Sequence, residues 1–218
     1  MITVVYYSAN RENEKFENKI VENLLEKTKD IPVISVTQKP MDVGTNICIG
    51  DVGISEINAR RQLLIGAKEA KTKYIAVAEA DFLYPEEYFK FIPRQQNMLY
   101  LAHPTYVLFC MRGRKIVYCP KSHGSEGAMI ASRRYLIHVL EYMLKDFPDW
   151  YDKEYQKEHR YINELLLTAK FRTFSINIPP ISFKTDNGMH RGTPCRFSGK
   201  TRDLPYWGEC HELVRKFL

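Results

Sequence analysis

Two carboxylates two residues apart, Glu79 and Asp81, close the apolar run Tyr74-Ile75-Ala76-Val77-Ala78. Residues at that spacing on a strand point to the same side, so the pair can face one cation while small Ala80 lets the backbone pack beneath. Hard divalent cations take oxygen ligands and commonly combine one or two carboxylates with the phosphates of a substrate. An acid pair that merely closes a strand ahead of a helix has the same appearance, so the elements around it decide between the two.

Those elements alternate. Ile2-Thr3-Val4-Val5-Tyr6-Tyr7-Ser8 is rich in β-branched and aromatic residues without a helical period, which predicts a strand buried on both faces. Phe16, Ile20 and Leu24 then recur at helical spacing across residues 14 to 29, and Ile31-Pro32 ends that helix before a strand at Val33-Ile34-Ser35-Val36. A turn-rich stretch with Gly44, Gly50 and Gly53 leads to a helix from about Ser55 to Lys71 and then to the strand that ends in the acids. This order predicts an α/β protein with a mostly parallel sheet covered by helices. Ligands of such sheets bind beyond the carboxyl ends of the strands, where Glu79 and Asp81 fall.

After Asp81 the rhythm changes. Pro85 with Glu86 and Glu87 suits the first turn of a short helix, and residues 105 to 119 read as a hairpin around Arg112-Gly113-Arg114. Helices are predicted over Met129 to Lys145 and over residues 152 to 170. A strand bent at Pro179-Pro180 is predicted over Thr173 to Phe183, ahead of a loop-rich tail.

The segment from Ile57 to Pro85, with Gly66, Ala70, Tyr74, Ile75, Asp81 and Pro85 at matching positions, resembles the core of family 2 glycosyltransferases. In that family an arginine-bearing helix with a Gly and an Ala one turn apart leads into a hydrophobic strand ending in Asp-x-Asp, with a proline soon after. Here the first acid is Glu79, and Arg60 and Arg61 come about one helical turn earlier than the family's arginine. The resemblance implies a GT-A fold, a Rossmann-like mixed sheet flanked by helices. It implies one catalytic domain over 1–218, with a nucleotide-sugar and metal-binding half at 1–102 and an acceptor-binding half at 103–218.

By the same resemblance Asp81, as the firmer ligand, would hold Mn2+ or Mg2+ with Glu79 and with His190 from the tail. Glu79 has a second option, the donor ribose or a metal-bound water. Tyr7, Ser8, Asn10, Arg60 or Arg61, and Arg191 would meet the nucleotide-sugar donor, for which a UDP-sugar is favoured. Ser122-His123-Gly124-Ser125-Glu126-Gly127 looks like the family's glycine-containing acceptor loop. The late-helix base that takes the acceptor proton would be Glu164, with Glu158, Glu154 and Asp152 as alternatives, and the reaction would invert by direct displacement.

Bulk properties set the remaining bounds. A chain of 218 residues with 44% apolar content suits one substantial core. The sequence has neither an uninterrupted apolar run of membrane length nor a secretion signal, which predicts a soluble, cytoplasmic protein. Five cysteines, Cys48, Cys110, Cys119, Cys195 and Cys210, without paired ligand spacing suit reduced thiols. The net charge is +6, and no acid falls between Tyr88 and Ser125, where Lys90, Arg94, Arg112, Arg114, Lys115 and Lys121 predict a basic face. That face can be a solvated hairpin edge or a site for an anionic partner, and the acceptor is left open between a glycan and a nucleic acid or other anion.

Two further readings use the same features. A nucleotidyltransferase acting on sugar phosphates would also carry carboxylate-bound metal, but no glycine-rich basic loop follows the first strand. A non-enzymatic nucleic-acid-binding module would use the basic stretch and leave the acid pair without a purpose.

Overall fold

The computed structural model describes residues 1–147, 149–151, 169–189, 195 and 197–218. The predicted opening appears as β1 (Ile2–Ser8), α1 (Glu14–Lys27) and β2 (Val33–Thr37), followed by β3 (Thr45–Cys48), α2 (Glu56–Glu69) and β4 (Tyr74–Glu79). Side-chain caps explain where the helices start. Asn13 accepts from the amides of Lys15 and Phe16, and Ser55 accepts from that of Asn58. The chain continues through β5 (Phe82–Leu83), α3 (Glu86–Lys90), β6 (Leu99–His103), β7 (Tyr106–Phe109) and β8 (Val117–Pro120). It ends with β9 (Met129–Ser132), α4 (Arg133–Leu144), β10 (Phe171–Ser175), β11 (Ile181–Lys184), β12 (Asp203–Leu204), β13 (Gly208–Glu209) and α5 (Cys210–Phe217).

The main sheet runs β10-β6-β9-β4-β1-β2-β3, parallel except for β9, which lies antiparallel between β4 and β6. Side-chain alternation splits β1 between two cores. Val5 and Tyr7 face α2 and α4, with Ile57, Leu63, Ala67, Leu136 and Leu140; Val4 and Tyr6 face Val21 and Leu24 of α1 and Tyr88 of α3. A second sheet, β5-β11-β7-β8, packs Leu83, Leu108, Tyr118 and Phe183 against Phe16 of α1 and Phe217 of α5. Phe16 and Phe183 meet edge to face, with ring centroids 5.2 Å apart.

Two predicted boundaries are corrected. Residues 129–132, read as the start of a helix, form β9 instead, because an antiparallel slot between β4 and β6 offers them sheet hydrogen bonds on both sides. The single bent strand predicted over 173–183 is two strands in two sheets, with β10 beside β6 and β11 beside β7. The prolines at 179 and 180 separate them, since neither can donate to a ladder. The hairpin around Arg112-Gly113-Arg114 is present as β7 and β8. The helix predicted over 152–170 falls almost entirely outside the described residues.

Gly66 sets how closely α2 approaches the sheet. A Cβ there would collide with Cγ1 of Val5 and come within 3.3 Å of Cγ2 of Val36, both in the middle of their strands. Gly66→Ala should therefore destabilise the fold by about 1–3 kcal/mol despite alanine's better helix propensity. Urea denaturation reads this directly, and a midpoint at or above wild type would mean that α2 does not bear on β1 in this way.

Candidate functional site

The carboxyl ends of β1 and β4 open into a cavity of about 520 Å³, within the range of small-ligand sites. Its floor is a connected series of contacts. Tyr7 lies opposite Glu79 in the parallel register, and its hydroxyl donates to Oε1 of Glu79. The amide of Glu79 donates to the Tyr84 hydroxyl at 3.0 Å, and that hydroxyl donates to the carbonyl of Gly127 at 2.5 Å. Gly127 sits in the one-turn helix Glu126–Ala128, and a side chain there would strike Oε2 of Glu79 and the ring of Phe82. Arg60, reaching across from α2, joins this series through an ion pair with Glu126.

Electrostatics follow from this crowding. Burial alone would push the Arg60 guanidinium down, but Glu126, Tyr7, Glu79 and Glu56 together hold it above its ordinary value. Its Nε is buried with no hydrogen-bond partner among the described residues. Burial, then the charge of Glu79, push the Asp81 carboxyl up to about 7, with Lys184 pulling the other way. The Lys121 ammonium is held below its usual range by burial and by Lys184, with Glu79 and Asp81 opposing.

Asp81 differs from the strand-side partner expected of it. β4 ends at Glu79, and Ala80-Asp81 form a turn into β5, whose geometry is fixed by Phe183 donating its amide to the Asp81 carbonyl at 2.7 Å. Both acids still line the cavity. Glu79 is occupied by Tyr7, whereas no side-chain or backbone donor among the described residues reaches the Asp81 carboxylate.

The remaining expected residues divide. Ser8 lines the cavity, but its hydroxyl accepts from the Asn10 amide at 2.8 Å, and its carbonyl accepts from the side chain of Gln62. Asn10 is not among the cavity-lining residues. It has φ 49°, and its side chain accepts from the Lys39 amide at 2.8 Å, beside a neighbouring hollow lined by Met41 and Asp42. Arg61 also points elsewhere, donating to the carbonyls of Phe147 and Asp149 and lying 5.5 Å from the centroid of the Trp150 ring. Glu164, Glu158, Glu154, Asp152, His190 and Arg191 lie outside the described residues. His211 sits in the first turn of α5, 2.8 Å from Glu209, and is not among the cavity-lining residues.

Sequence reasoning missed Gln62 and Lys184. Gln62 is 1% exposed and its amide donates at 2.8 Å to the carbonyls of both Ser8 and Val36, pinning the ends of β1 and β2. A polar residue on the buried face of α2 was the only trace it left in the sequence. The acid-free stretch does not act as a single face. Lys90 pairs with Glu86 at 2.6 Å, Arg114 and Lys115 join Lys200 and Arg202 around a second hollow, and Lys121 enters the cavity.

Among solved structures, S. aureus TarS 1-349 in complex with UDP-GlcNAc superposes with a TM-score of 0.50 and 13% identity, over 87% of this chain and 60% of its own. The fold is GT-A-like. Two further matches are a mannosyltransferase, PcManGT from Pyrobaculum calidifontis, in complex with GDP-Man and Mn2+ (TM-score 0.43, 12% identity, 84% and 56% covered), and the bifunctional IspDF from Campylobacter jejuni (0.44, 8%, 81% and 50%). This GT-A-like chain thus spans about 60% of the TarS fragment that it matches. No family model and no curated protein matches the sequence. Among the described residues of this GT-A-like fold, no helix is long and apolar enough to cross a membrane.

Proposed function

We propose that this chain is a metal-dependent glycosyltransferase that moves a sugar from a nucleotide-diphosphate sugar, a UDP-sugar in the first instance, to an acceptor hydroxyl. Asp81 carries the reading: a half-buried carboxylate with no hydrogen-bond donor among the described residues, beside a second acid, at the mouth of a parallel strand. Two acids in one cavity are the donor set that Mg2+ and Mn2+ favour, and a cation would supply Asp81 with the partner that it does not have among the described residues. Asp81 is the direct ligand in this reading. Glu79, held by Tyr7 and backed by Gly127, offers its second oxygen or a water. When bound, the ion supplies Lewis-acid neutralisation of the leaving diphosphate.

The chain's own residues do the rest. Tyr7 and Ser8 form the wall where base or ribose packs, and Arg60, also in that wall, contributes its positive charge toward the donor's charged end. Glu164 is proposed as the base that removes the acceptor proton during a direct, inverting displacement, and His190 and Arg191 as tail contacts to metal and diphosphate. The cytoplasm is the proposed compartment.

Thermal melts against UDP- and GDP-linked sugars, with Mn2+ or Mg2+, test the proposal. A donor at a hundredfold its Kd should add about 2.7 kcal/mol, or roughly 5–10 °C for a chain of this size. If no nucleotide sugar or nucleoside diphosphate moves the melting temperature with either metal, the reading fails.

A further inference from the structure

We infer that Lys121 and Lys184 together form the seat for the donor's diphosphate, in the cavity that also holds the metal position at Asp81; the inference rests on the nucleotide-sugar reading above. Neither lysine belongs to the motif that suggested that reading. Lys184 arrives through strand alternation: Ile181 and Phe183 of β11 enter the core under α1 and α5, while Ser182 and Lys184 line the cavity. The bond from the Phe183 amide to the Asp81 carbonyl fixes Lys184 one residue from the acid's own peptide.

Lys121 follows β8 directly and also lines the cavity. Its Nζ donates to Oγ of Ser125 at 2.7 Å and lies 5.3 Å from the centroid of the Phe82 ring, so its position is built rather than free. An ammonium carries three donors, and among the described residues one is used. Among the described residues neither lysine forms an ion pair within 4.0 Å, although both sit close enough to Asp81 to act on its charge. Two like charges brought together in a cavity repel unless an anion lies between them. A diphosphate supplies two charges and several acceptor oxygens in that space, and Lys is a point-charge binder of phosphate. Simple neutralisation of Glu79 and Asp81 would also place lysines here, but it predicts no preference for phosphate.

The test is calorimetric titration of the full chain in EDTA with UDP, uridine, GDP and guanosine, repeated with Mn2+. In EDTA the wild type should bind the matching diphosphate at least about tenfold more tightly than its nucleoside, as expected of charge-assisted hydrogen bonds. Lys121→Met and Lys184→Met should each lose most of that ratio with nucleoside affinity unchanged, while Lys184→Arg keeps it. Lys68→Met, removing a half-exposed cation paired with Glu141, serves as the charge control and should keep the wild-type ratio. Should Lys121→Met fail to fold, the half-buried Lys184 variants still decide the matter. An undiminished ratio in Lys184→Met, or no ratio in wild type without metal, overturns the lysine seat and leaves the glycosyltransferase reading standing. Absence of any nucleotide or nucleoside binding, even with Mn2+, overturns both.

Discussion

Asp81→Asn should lower metal-dependent turnover on the order of a thousandfold, the several kcal/mol of charge stabilisation that a bound cation supplies. The same variant should be more stable than wild type near pH 8 in EDTA. The sign follows from the raised carboxyl, at about 7 in the folded chain against about 3.9 when unfolded. Between those values the folded state holds a proton that the unfolded state has released, so wild-type stability falls as pH rises from about 4 to about 7. Asparagine cannot ionise and escapes that loss, on the order of 1–3 kcal/mol, and the gap should close near pH 4. Added Mn2+ should stabilise wild type and not the variant. Melts across pH with and without metal read all of this, and wild-type turnover in Asp81→Asn would remove Asp81 from the metal site. Turnover in wild type should rise with pH as the carboxylate forms, at a pH below about 7 where metal competes with the proton.

Arg60→Met should cost about 3–5 kcal/mol, because it removes the cation from a partly buried ion pair with Glu126 and takes away a positive charge that also acts on Glu79. Adding Glu126→Gln should recover part of the loss, since it removes the negative charge that Arg60 had balanced in this pair. Urea unfolding of the two single variants and the double variant measures the coupling. A single variant within about 1 kcal/mol of wild type, or a double variant no better than Arg60→Met, would show that Arg60 does not neutralise this floor.

Legibility in the sequence tracked how much each residue's role depends on neighbours far along the chain. β1, α1, β2, α2 and β4 carry their own period and caps, so local pattern sufficed for them. β3 was missed because it is a partly exposed edge strand among glycines, with little apolar signal. Met129-Ile130-Ala131-Ser132 joins an apolar run that suits helix and strand alike, and only the slot between β4 and β6 decides. In the site, Glu79 and Asp81 were visible from position at a strand end. Arg61 looked equivalent to its neighbour Arg60 until the helix was given a rotation, which sends one to Glu126 and the other to Phe147. Asn10 reads as a ligand contact and serves the turn after β1, holding a left-handed backbone that asparagine tolerates. Lys184 had no signal, because its meaning arises from β11 joining the second sheet.

The clamp on α2 bears on how this protein can acquire new specificities. Gly66 holds the helix to β1 and β2, Gln62 ties it to two strand ends, and Arg60 is locked to Glu126. Variation on that wall is therefore coupled to folding, and most of it will be purged before it can be tried as chemistry. The cavity is also lined by the exposed His123 and by Asn187 to Met189, loop positions whose side chains are not part of the cores. Evolutionary drift and laboratory libraries alike should find their changes in substrate choice at those loop positions, with the α2 wall retained as the inherited part of the machine.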